Sequence, residues 1–437
     1  MSKLNKPALF LITLVFILSP LVSMESECPV ILSMKDRAAV VDSWLKIRLE
    51  KMLPEIMRRE NFDMWLVICR EYNEDPVYLT LVPFTSLAAR RLTMLVFYDR
   101  GEQGIERLAV SRYGIGDFYQ GVWNPEQMDQ WDCLAKVIKE RAPKRIGINE
   151  AEYFAFGDGL SAHLKTRLVQ ALGQDYASRL HSAERLAVGW LEKRTPEELE
   201  VYPQIASIAH QIIAEAFSNR VITPGITTTQ DVVWWIREKF RELRLTTWFH
   251  PSVSIQRSKS SPHSGNVIHR GDVLHCDIGI IYLRLNTDTQ EHAYVLREGE
   301  GDCPQGLKDA LKLGNRLQDI LMAEFKEYRS GNEILAAALE RAKAEGLKAQ
   351  IYTHPLGYHG HGAGPIVGLW DKQDGVPGTG DYPLFYNTCY SIELNIRTSL
   401  PEWGGQEVRI ALEQDAAFTE RGIYFLDGRQ TKFHLIK

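Results

Sequence analysis

The chain has 437 residues, with 51 Lys and Arg against 56 Asp and Glu and a formal net charge of −5. This length allows two or three domains, and 45% apolar with 24% charged residues excludes both a disordered chain and a membrane helix bundle. The slightly acidic balance has no long basic run, so no nucleic-acid partner is expected. Six cysteines are too few for a disulfide scaffold, and we expect most or all of them to be reduced.

The first 23 residues have the pattern of a secretory signal peptide. Lys3 and Lys6 precede an apolar run from Ala8 to about Ser23. This run falls short of the ~20 apolar residues that span a bilayer, so an uncleaved membrane anchor is the second interpretation. We therefore expect residues 1–23 to be removed and the mature chain to be exported, to the periplasm or the medium, without stable membrane insertion.

Residues 36–185 alternate between helix and strand patterns, which is typical of an α/β domain. The pattern predicts a helix over residues 38–59, interrupted at Pro54, and strands over residues 64–69, 92–98 and 145–149. This segment contains no glycine-rich phosphate loop and no tight cluster of histidines and carboxylates.

A second domain is predicted over residues 190–437, with the boundary near residues 185–194. Thr195 is placed as the cap of its first helix and Pro196 in the first turn. A second helix is predicted from about Thr229 to Leu243.

Two carboxylates lie in a β-rich stretch after residue 260. Asp277 and Asp288 are eleven residues apart. If the two runs pair as adjacent antiparallel strands, this odd separation places both carboxylates opposite each other on one face. Unpaired carboxylates repel there, so a cation between them is one interpretation, and two surface acids on a hairpin is the other.

Histidines cluster further along the chain. His354, His359 and His361, three of the twelve histidines, fall within eight residues rich in small side chains. Imidazole suits Zn, Mn, Fe or Co, so the clustering favours a metal or catalytic site over structural histidines.

Two glutamates follow within apolar strand patterns. Glu393 and Glu413 each need a partner if buried, and Arg397 and Arg409 are available for that role. The order Asp, Asp, His, Glu, Glu across β-rich sequence favours metal binding instead.

These residues resemble the metal-binding signature of the M24 metallopeptidases. The resemblance rests on the Asp277/Asp288 pair, His-Gly-x-Gly at His361, Glu393, and Glu413 followed six residues later by Thr419. The family contains aminopeptidase P, prolidase, methionine aminopeptidase and the metal-free creatinase. The resemblance spans about residues 190–437 and implies an α+β pita-bread catalytic domain. The α/β domain before it resembles the N-terminal domain of aminopeptidase P, prolidase and creatinase.

Carried over by position, the resemblance implies a centre with two divalent metal ions. Asp277 would chelate one metal, Asp288 and Glu413 would bridge both, and His361 and Glu393 would hold the second. Manganese is the first expectation for this ligand set, with Zn, Co or Fe as alternatives. A water bridging two metals ~3.5–4 Å apart would have a lowered pKa and could attack a scissile carbonyl.

The resemblance also implies three catalytic roles. Glu393 is the candidate for taking the proton of that water, and His263 resembles an upstream histidine that binds substrate. The family usually places a second histidine seven residues after the ligand, but Gly368 stands there. His359 or His354 is the candidate to replace it as proton donor or oxyanion partner.

An alternative register anchored on residues 367–369 would put Pro365 at the ligand position and Lys372 at the second histidine, removing the imidazole. We expect His361, because His-Gly-Ala-Gly resembles the methionine aminopeptidase form of the motif. The arginine that the family often carries two residues before the last Glu is missing, and Arg409, on the same strand face, is its candidate substitute.

The resemblance thus predicts a dinuclear metallohydrolase, most similar to an Xaa-Pro aminopeptidase or dipeptidase. The expected substrate is a short peptide with Pro after the scissile bond, and a homodimer is expected because family members often dimerise. Two alternatives remain, a non-catalytic pita-bread binding module and a creatinase-like hydrolase of a non-peptide small molecule.

Overall fold

Two β-sheets of different topology organise the chain. The computed structural model describes residues 30–437, so the predicted signal peptide at residues 1–23 lies outside the described residues. The helices are α1 (Met34–Ile47), α2 (Leu53–Arg59), α3 (Tyr78–Leu81), α4 (Gln130–Arg141), α5 (Ala162–Ala177), α6 (Glu184–Glu192), α7 (Pro196–Ala216), α8 (Thr229–Glu242), α9 (Gln305–Met322) and α10 (Gly331–Ala344).

The strands divide between the two sheets in chain order. The first sheet contains β1 (Met64–Arg70), β2 (Leu92–Asp99), β3 (Ile105–Ala109), β4 (Gln120–Gly121), β5 (Ile146–Ile148) and β6 (Leu180–Ser182). A two-stranded ribbon joins β9 (Ile281–Tyr282) and β10 (Leu285–Asn286). The second sheet contains β7 (Ser252–Gln256), β8 (Val273–Ile278), β11 (Thr289–Val295), β12 (Lys348–Ile351), β13 (His354–Leu356), β14 (Thr388–Leu400), β15 (Gln406–Thr419), β16 (Gly422–Phe425) and β17 (His434–Ile436).

The first sheet is a mixed sheet in the order β4-β3-β2-β1-β5-β6. Its central pair β1·β2 is antiparallel, whereas β1·β5 and β5·β6 are parallel. The strands predicted at residues 64–69, 92–98 and 145–149 are confirmed as β1, β2 and β5. Because the central strands are buried on both sides, their sequences are continuous apolar runs, which made them recognisable.

The helix predicted over residues 38–59 is confirmed, but Pro54 does not break it. Arg48–Met52 forms a π-helical turn between α1 and α2, and Leu53 N–H donates to the Arg48 carbonyl. Pro54 lies in the first turn of α2, directly after this π-helical turn.

The second sheet has the order β12-β14-β15-β11-β8-β7, with β13, β16 and β17 attached to β14, β15 and β11. Helices α9 and α10 pack on one face through a continuous apolar core that includes Ile392, Leu394, Ile410 and Leu412. Side chains alternate along a strand, so Glu393, between Ile392 and Leu394, projects from the opposite face. Ala411, between Ile410 and Leu412, does the same. That opposite face carries the polar site.

A buried ion network joins the helices before the first sheet to the start of the second half. The Glu198 carboxylate in α7 lies 3.0 Å from Arg48 and 3.6 Å from Arg194, and all three side chains are fully buried. The Tyr358 hydroxyl donates to Glu198 at 3.1 Å, and both guanidinium carbons lie within 5 Å of the Tyr358 ring centroid. The expected cap of α7 is also confirmed, since Thr195 and Glu198 form a capping box.

The described residues also test the expectations about cysteines and membrane spans. Five cysteines in the described part are free and buried. Within residues 30–437, the helices lack the length and apolarity needed to span a bilayer. Residues from Leu32 onward form one compact unit, and the boundary near residues 185–194 stays a prediction.

The Glu198 network generates the first prediction. Glu198→Ala should lower the free energy of unfolding by about 3–5 kcal/mol, because it leaves two buried guanidinium groups without a counter-charge. Urea denaturation measures this loss. Glu140→Ala is the control, since the Lys136–Glu140 pair is solvent-exposed, and it should unfold like wild type. Equal stability of the two variants would contradict this account of the network.

Candidate metal centre

A polar row crosses four neighbouring strands on the face away from α9 and α10. In β14 and β15, Glu393 lies directly opposite Glu413. Gln290 in β11 pairs with Glu413 on one side and with Asp277 in β8 on the other. Strand register therefore brings together three carboxylates that are up to 136 residues apart in sequence.

The expected direct pairing of Asp277 with Asp288 is wrong. Asp277 faces Gln290, and Asp288 immediately precedes β11, two positions further along the ladder. Both carboxylates still belong to one face, because a shift of two residues conserves the side-chain direction. The Asp288 backbone is held by a hydrogen bond from its N–H to Asp415.

His354 lies at the centre of this cluster. Its Nε2 is 3.3 Å from Glu413, 3.5 Å from Asp288 and 3.9 Å from Glu393. Three groups of candidate ligands overlap, each with its ligand atoms within 4.8 Å of one another: Asp288–His354–His361, His354–Glu393–Glu413 and Asp277–Asp288–Glu413. The five residues predicted as ligands thus lie in one cluster, and His354, a candidate proton donor or oxyanion partner, lies there with them.

His361 reaches the cluster from a more exposed position. Its ring is perpendicular to that of His354 at 4.7 Å and contacts the Trp248 edge at 4.9 Å. The neighbouring Gly360 passes so close to Trp248 that a β-carbon there would lie 2.0 Å from the indole. This placement favours the register with His361 as ligand over the alternative with Pro365.

The second histidine of the family pattern has no room here. Gly368 has φ +77°, and a β-carbon at this position would lie 2.4 Å from the Ile351 carbonyl oxygen. A histidine at residue 368 would therefore need a different backbone path.

The other two catalytic candidates lie outside the three ligand groups. His359 stacks on Phe156 at 4.4 Å, and burial lowers its pKa to about 4. His263 is exposed and stacks on His269 at 3.7 Å. The structure therefore brings neither histidine into the carboxylate cluster, and their predicted roles stay predictions.

Arginine does not neutralise the cluster. Arg409 lies opposite Arg397, and its guanidinium donates to the Tyr352 hydroxyl. Among the described residues, the recorded ion pairs of Asp288, Glu393 and Glu413 are all with His354. The interpretation of the two glutamates as arginine-paired structural acids is therefore wrong.

The crowding of the carboxyl groups shifts the pKa values of the residues in the cluster. Burial raises the pKa of Asp277, Asp288 and Glu393 well above the ordinary carboxyl value, and the charge of Glu413 raises it further. Burial alone would lower the pKa of His354, but the hydrogen bond and charge of Glu413 raise it to about 9. One imidazolium thus faces four crowded carboxyl groups.

Two polar residues that the sequence analysis missed hold Glu413 and Glu393. The Ser391 hydroxyl donates to Glu413 at 2.7 Å, and the Gln290 amide nitrogen donates to both glutamates at 2.7 Å. The Gln290 amide oxygen accepts from His275 at 2.8 Å. Only the strand register reveals these contacts, because neither residue belongs to a recognisable motif.

The residues present fit divalent cations. Buried oxygens Oδ1 of Asp277 and of Asp288 have no hydrogen-bond partner, which is costly unless a cation uses them. Four carboxylates with imidazole nitrogen form an oxygen-rich donor set of the kind that Mn and related metals accept. Asp277, Asp288, His361, Glu393 and Glu413 are therefore candidate metal-binding residues, and His354 is a sixth.

Comparison with known families agrees with this chemistry. The sequence model of metallopeptidase family M24 matches residues 201–420, half of the chain. The chain therefore belongs to the M24 metallopeptidase family. A search of curated proteins gives no match.

Solved structures with the same pita-bread architecture include three peptidases. An X-Pro aminopeptidase from Thermotoga maritima is 18% identical with a TM-score of 0.62, covering 87% of this chain and 99% of its own. A dipeptidase from Pyrococcus horikoshii is 17% identical with a TM-score of 0.58, covering 89% and 99%. An Xaa-Pro dipeptidase from Bacillus anthracis is 16% identical with a TM-score of 0.56, covering 92% and 100%. At such identities the likeness shows the fold, and it confirms the expected α/β N-terminal and pita-bread C-terminal architecture.

The crowded carboxylates generate a prediction about pH. When a chelator keeps the protein free of metal ions, its free energy of unfolding should fall as the pH rises from about 5 to 8. The unfolded carboxyl groups ionise above pH ~4 while the folded ones retain protons, so raising the pH favours unfolding. His354 acts in the same direction, because its stabilising charge is lost as pH rises through about 9.

Glu393→Gln should flatten this slope, since it removes one crowded carboxyl group. Denaturation midpoints at pH 5.5 and pH 8 measure the slope, and Glu140→Gln on the exposed surface of α4 should keep the wild-type value. A slope unchanged by Glu393→Gln would contradict the assigned electrostatics.

Proposed function

We propose that the protein is a metal-dependent peptidase of the Xaa-Pro aminopeptidase or dipeptidase type. One observation carries the proposal, namely four carboxylates and two imidazoles that converge without a lysine or arginine partner among the described residues. Such a cluster is unfavourable without cations, and membership of a metallopeptidase family supplies the matching chemistry.

The proposed cations are two divalent ions, with manganese first. Asp277, Asp288, His361, Glu393 and Glu413 would hold them, as the family resemblance implies. When bound, such ions lower the pKa of a water and polarise a scissile carbonyl.

The side chains of this chain would supply positioning and proton transfer. Glu393 is only half-buried, and one of its oxygens is held by Gln290 while the other faces His354. Glu393 is therefore placed to accept a proton from an attacking water and to pass it to the leaving amine. His354 donates to Glu413 and keeps that carboxylate in one orientation.

Preference for proline after the scissile bond is part of the proposal. The named activities of the similar structures support it. A panel of Xaa-Pro and Xaa-Ala peptides with metal-reconstituted protein tests it. Metal binding without turnover of either series would favour a non-peptide substrate, and failure to bind metal would favour a non-catalytic module.

Asp288→Ala should abolish hydrolysis, because Asp288 belongs to two of the three ligand groups. Changes outside the first ligand shell already cost about 10–100-fold, so the loss of kcat/KM should exceed that range. Asp309→Ala in α9, which removes a carboxylate paired with Lys312, is the control and should act like wild type. Wild-type rates in Asp288→Ala would contradict the site.

Export to the periplasm or medium is also proposed, from the signal-peptide pattern of residues 1–23 alone. Sequencing the N-terminus of the protein recovered after expression tests this. A mature chain that begins near Met24 is expected, and an intact Met1 on exported protein would favour the membrane-anchor alternative. The homodimer expected from the resemblance stays a prediction.

A further inference from the structure

Three basic residues lie side by side on neighbouring strands of the second sheet. Arg397 in β14 is directly opposite Lys348 in β12 on one side and Arg409 in β15 on the other. We call these three residues the basic row. Like charges directly opposite each other in a sheet repel, so the basic row is unfavourable unless an anionic group lies beside it.

The basic row lies on the same face of the sheet as the carboxylates. Arg397 is four residues after Glu393 in β14, and Arg409 is four residues before Glu413 in β15. Since an even separation along a strand conserves the side-chain direction, both arginines project on the side of the candidate metal centre. Four residues of strand place the basic row ~13 Å from the carboxylates, measured along the strands.

One acid of the protein accompanies the basic row. Glu407 forms an ion pair with Lys348, and both side chains are exposed. The hydrogen bond from Lys348 and the charge of Arg397 lower the pKa of Glu407. Arg397 is exposed and forms no ion pair of its own with the residues that the structure describes. One carboxylate therefore accompanies three cations, and the row keeps a net positive charge.

The two arginines stand at different distances from the carboxylates. The Arg409 guanidinium donates to the Tyr352 hydroxyl at 2.7 Å, and Asn395 donates to the same hydroxyl at 3.1 Å. Because Asn395 is two residues from Glu393, Arg409 is turned back toward the carboxylates, whereas Arg397 lies further out. A guanidinium has five N–H donors, so Tyr352 leaves most of those on Arg409 for another acceptor.

We propose that Arg397, together with Arg409, binds the C-terminal carboxylate of a peptide that has two or three residues after the scissile bond. An extended peptide advances ~3.3–3.6 Å per residue, so two or three residues carry the terminal carboxylate ~7–11 Å away from a carbonyl held at the metal centre. The carboxylate then lies between the two guanidinium groups, which match its geometry.

A dipeptide has a single residue after the scissile bond, so its carboxylate ends short of Arg397. The inference rests on the proposed peptidase and narrows its preferred substrates to tripeptides and tetrapeptides with a free C-terminus.

The experiment compares peptides that end in a carboxylate with the same peptides ending in an amide. Full-length protein reconstituted with Mn²⁺ is given Ala-Pro, Ala-Pro-Ala and Ala-Pro-Ala-Ala in both forms, and kcat and KM are measured. For the two longer peptides, wild type should prefer the acid by about 10-fold or more in kcat/KM, because the amide cannot form the charge-assisted pair. Arg397→Gln should remove most of this preference through a higher KM and leave the Ala-Pro ratio unchanged. Arg409→Gln should lower the ratio for all three peptides.

Arg341→Gln is the matched control, because it removes an exposed arginine from α10, which packs on the other face of the sheet. It should keep the wild-type ratios of acid to amide. Equal rates for acids and amides in wild type, or a preference that both Arg397→Gln and Arg409→Gln leave intact, would overturn the inference while leaving the proposed peptidase in place.

Cleavage of none of the peptides would overturn the proposed peptidase, and calorimetric binding then tests the inference separately. Tighter binding of the Ala-Pro-Ala acid than of its amide, lost in Arg397→Gln, would support the carboxylate site. Equal binding of the two forms, or binding of neither, would overturn it.

Discussion

Mutual repulsion of carboxylates is the constraint on which the centre of this protein depends. Asp277, Asp288, Glu393 and Glu413 approach one another in a largely buried place, and the positive group beside them is the His354 imidazole. Such a cluster opposes folding, so the energy that holds it must come from elsewhere. The apolar core between the second sheet and helices α9 and α10 supplies it from the other face of the same strands. A cation would remove the cost, and this links metal binding to stability.

The loop that carries His361 is held from two directions. Gly360 lets the backbone pass against Trp248, and Tyr358 is held by Glu198 and by the guanidinium groups of Arg48 and Arg194. The same carboxylate caps helix α7 and pairs with an arginine from the helical segment before the first sheet. The N-terminal part of the chain thus contributes a contact to Tyr358, three residues before His361.

Neutral hydrogen-bonding groups lie between the carboxylates within the row. Ser391 and Gln290 both donate to Glu413, and Gln290 also connects Glu393 to His275. These neutral donors orient the acids without neutralising them, so the cluster keeps its attraction for divalent ions. These neutral residues therefore matter as much for the site as the candidate ligands beside them.

The sequence by itself determined the family of the protein and indicated most of the acids and histidines that the fold brings together. Buried strands β1, β2 and β5 are continuous apolar runs, and the ordered Asp, Asp, His, Glu, Glu pattern is specific enough to indicate the family. Both patterns consist of residues in fixed order along the chain, so they can be recognised without the structure. The tertiary structure alone decided that Asp277 faces Gln290 instead of Asp288, that His354 stands at the centre while His359 packs on Phe156, and that arginines do not neutralise the glutamates. The physical reason is that strand register and loop path depend on contacts between residues far apart in sequence, and a shift of two positions leaves every local pattern unchanged.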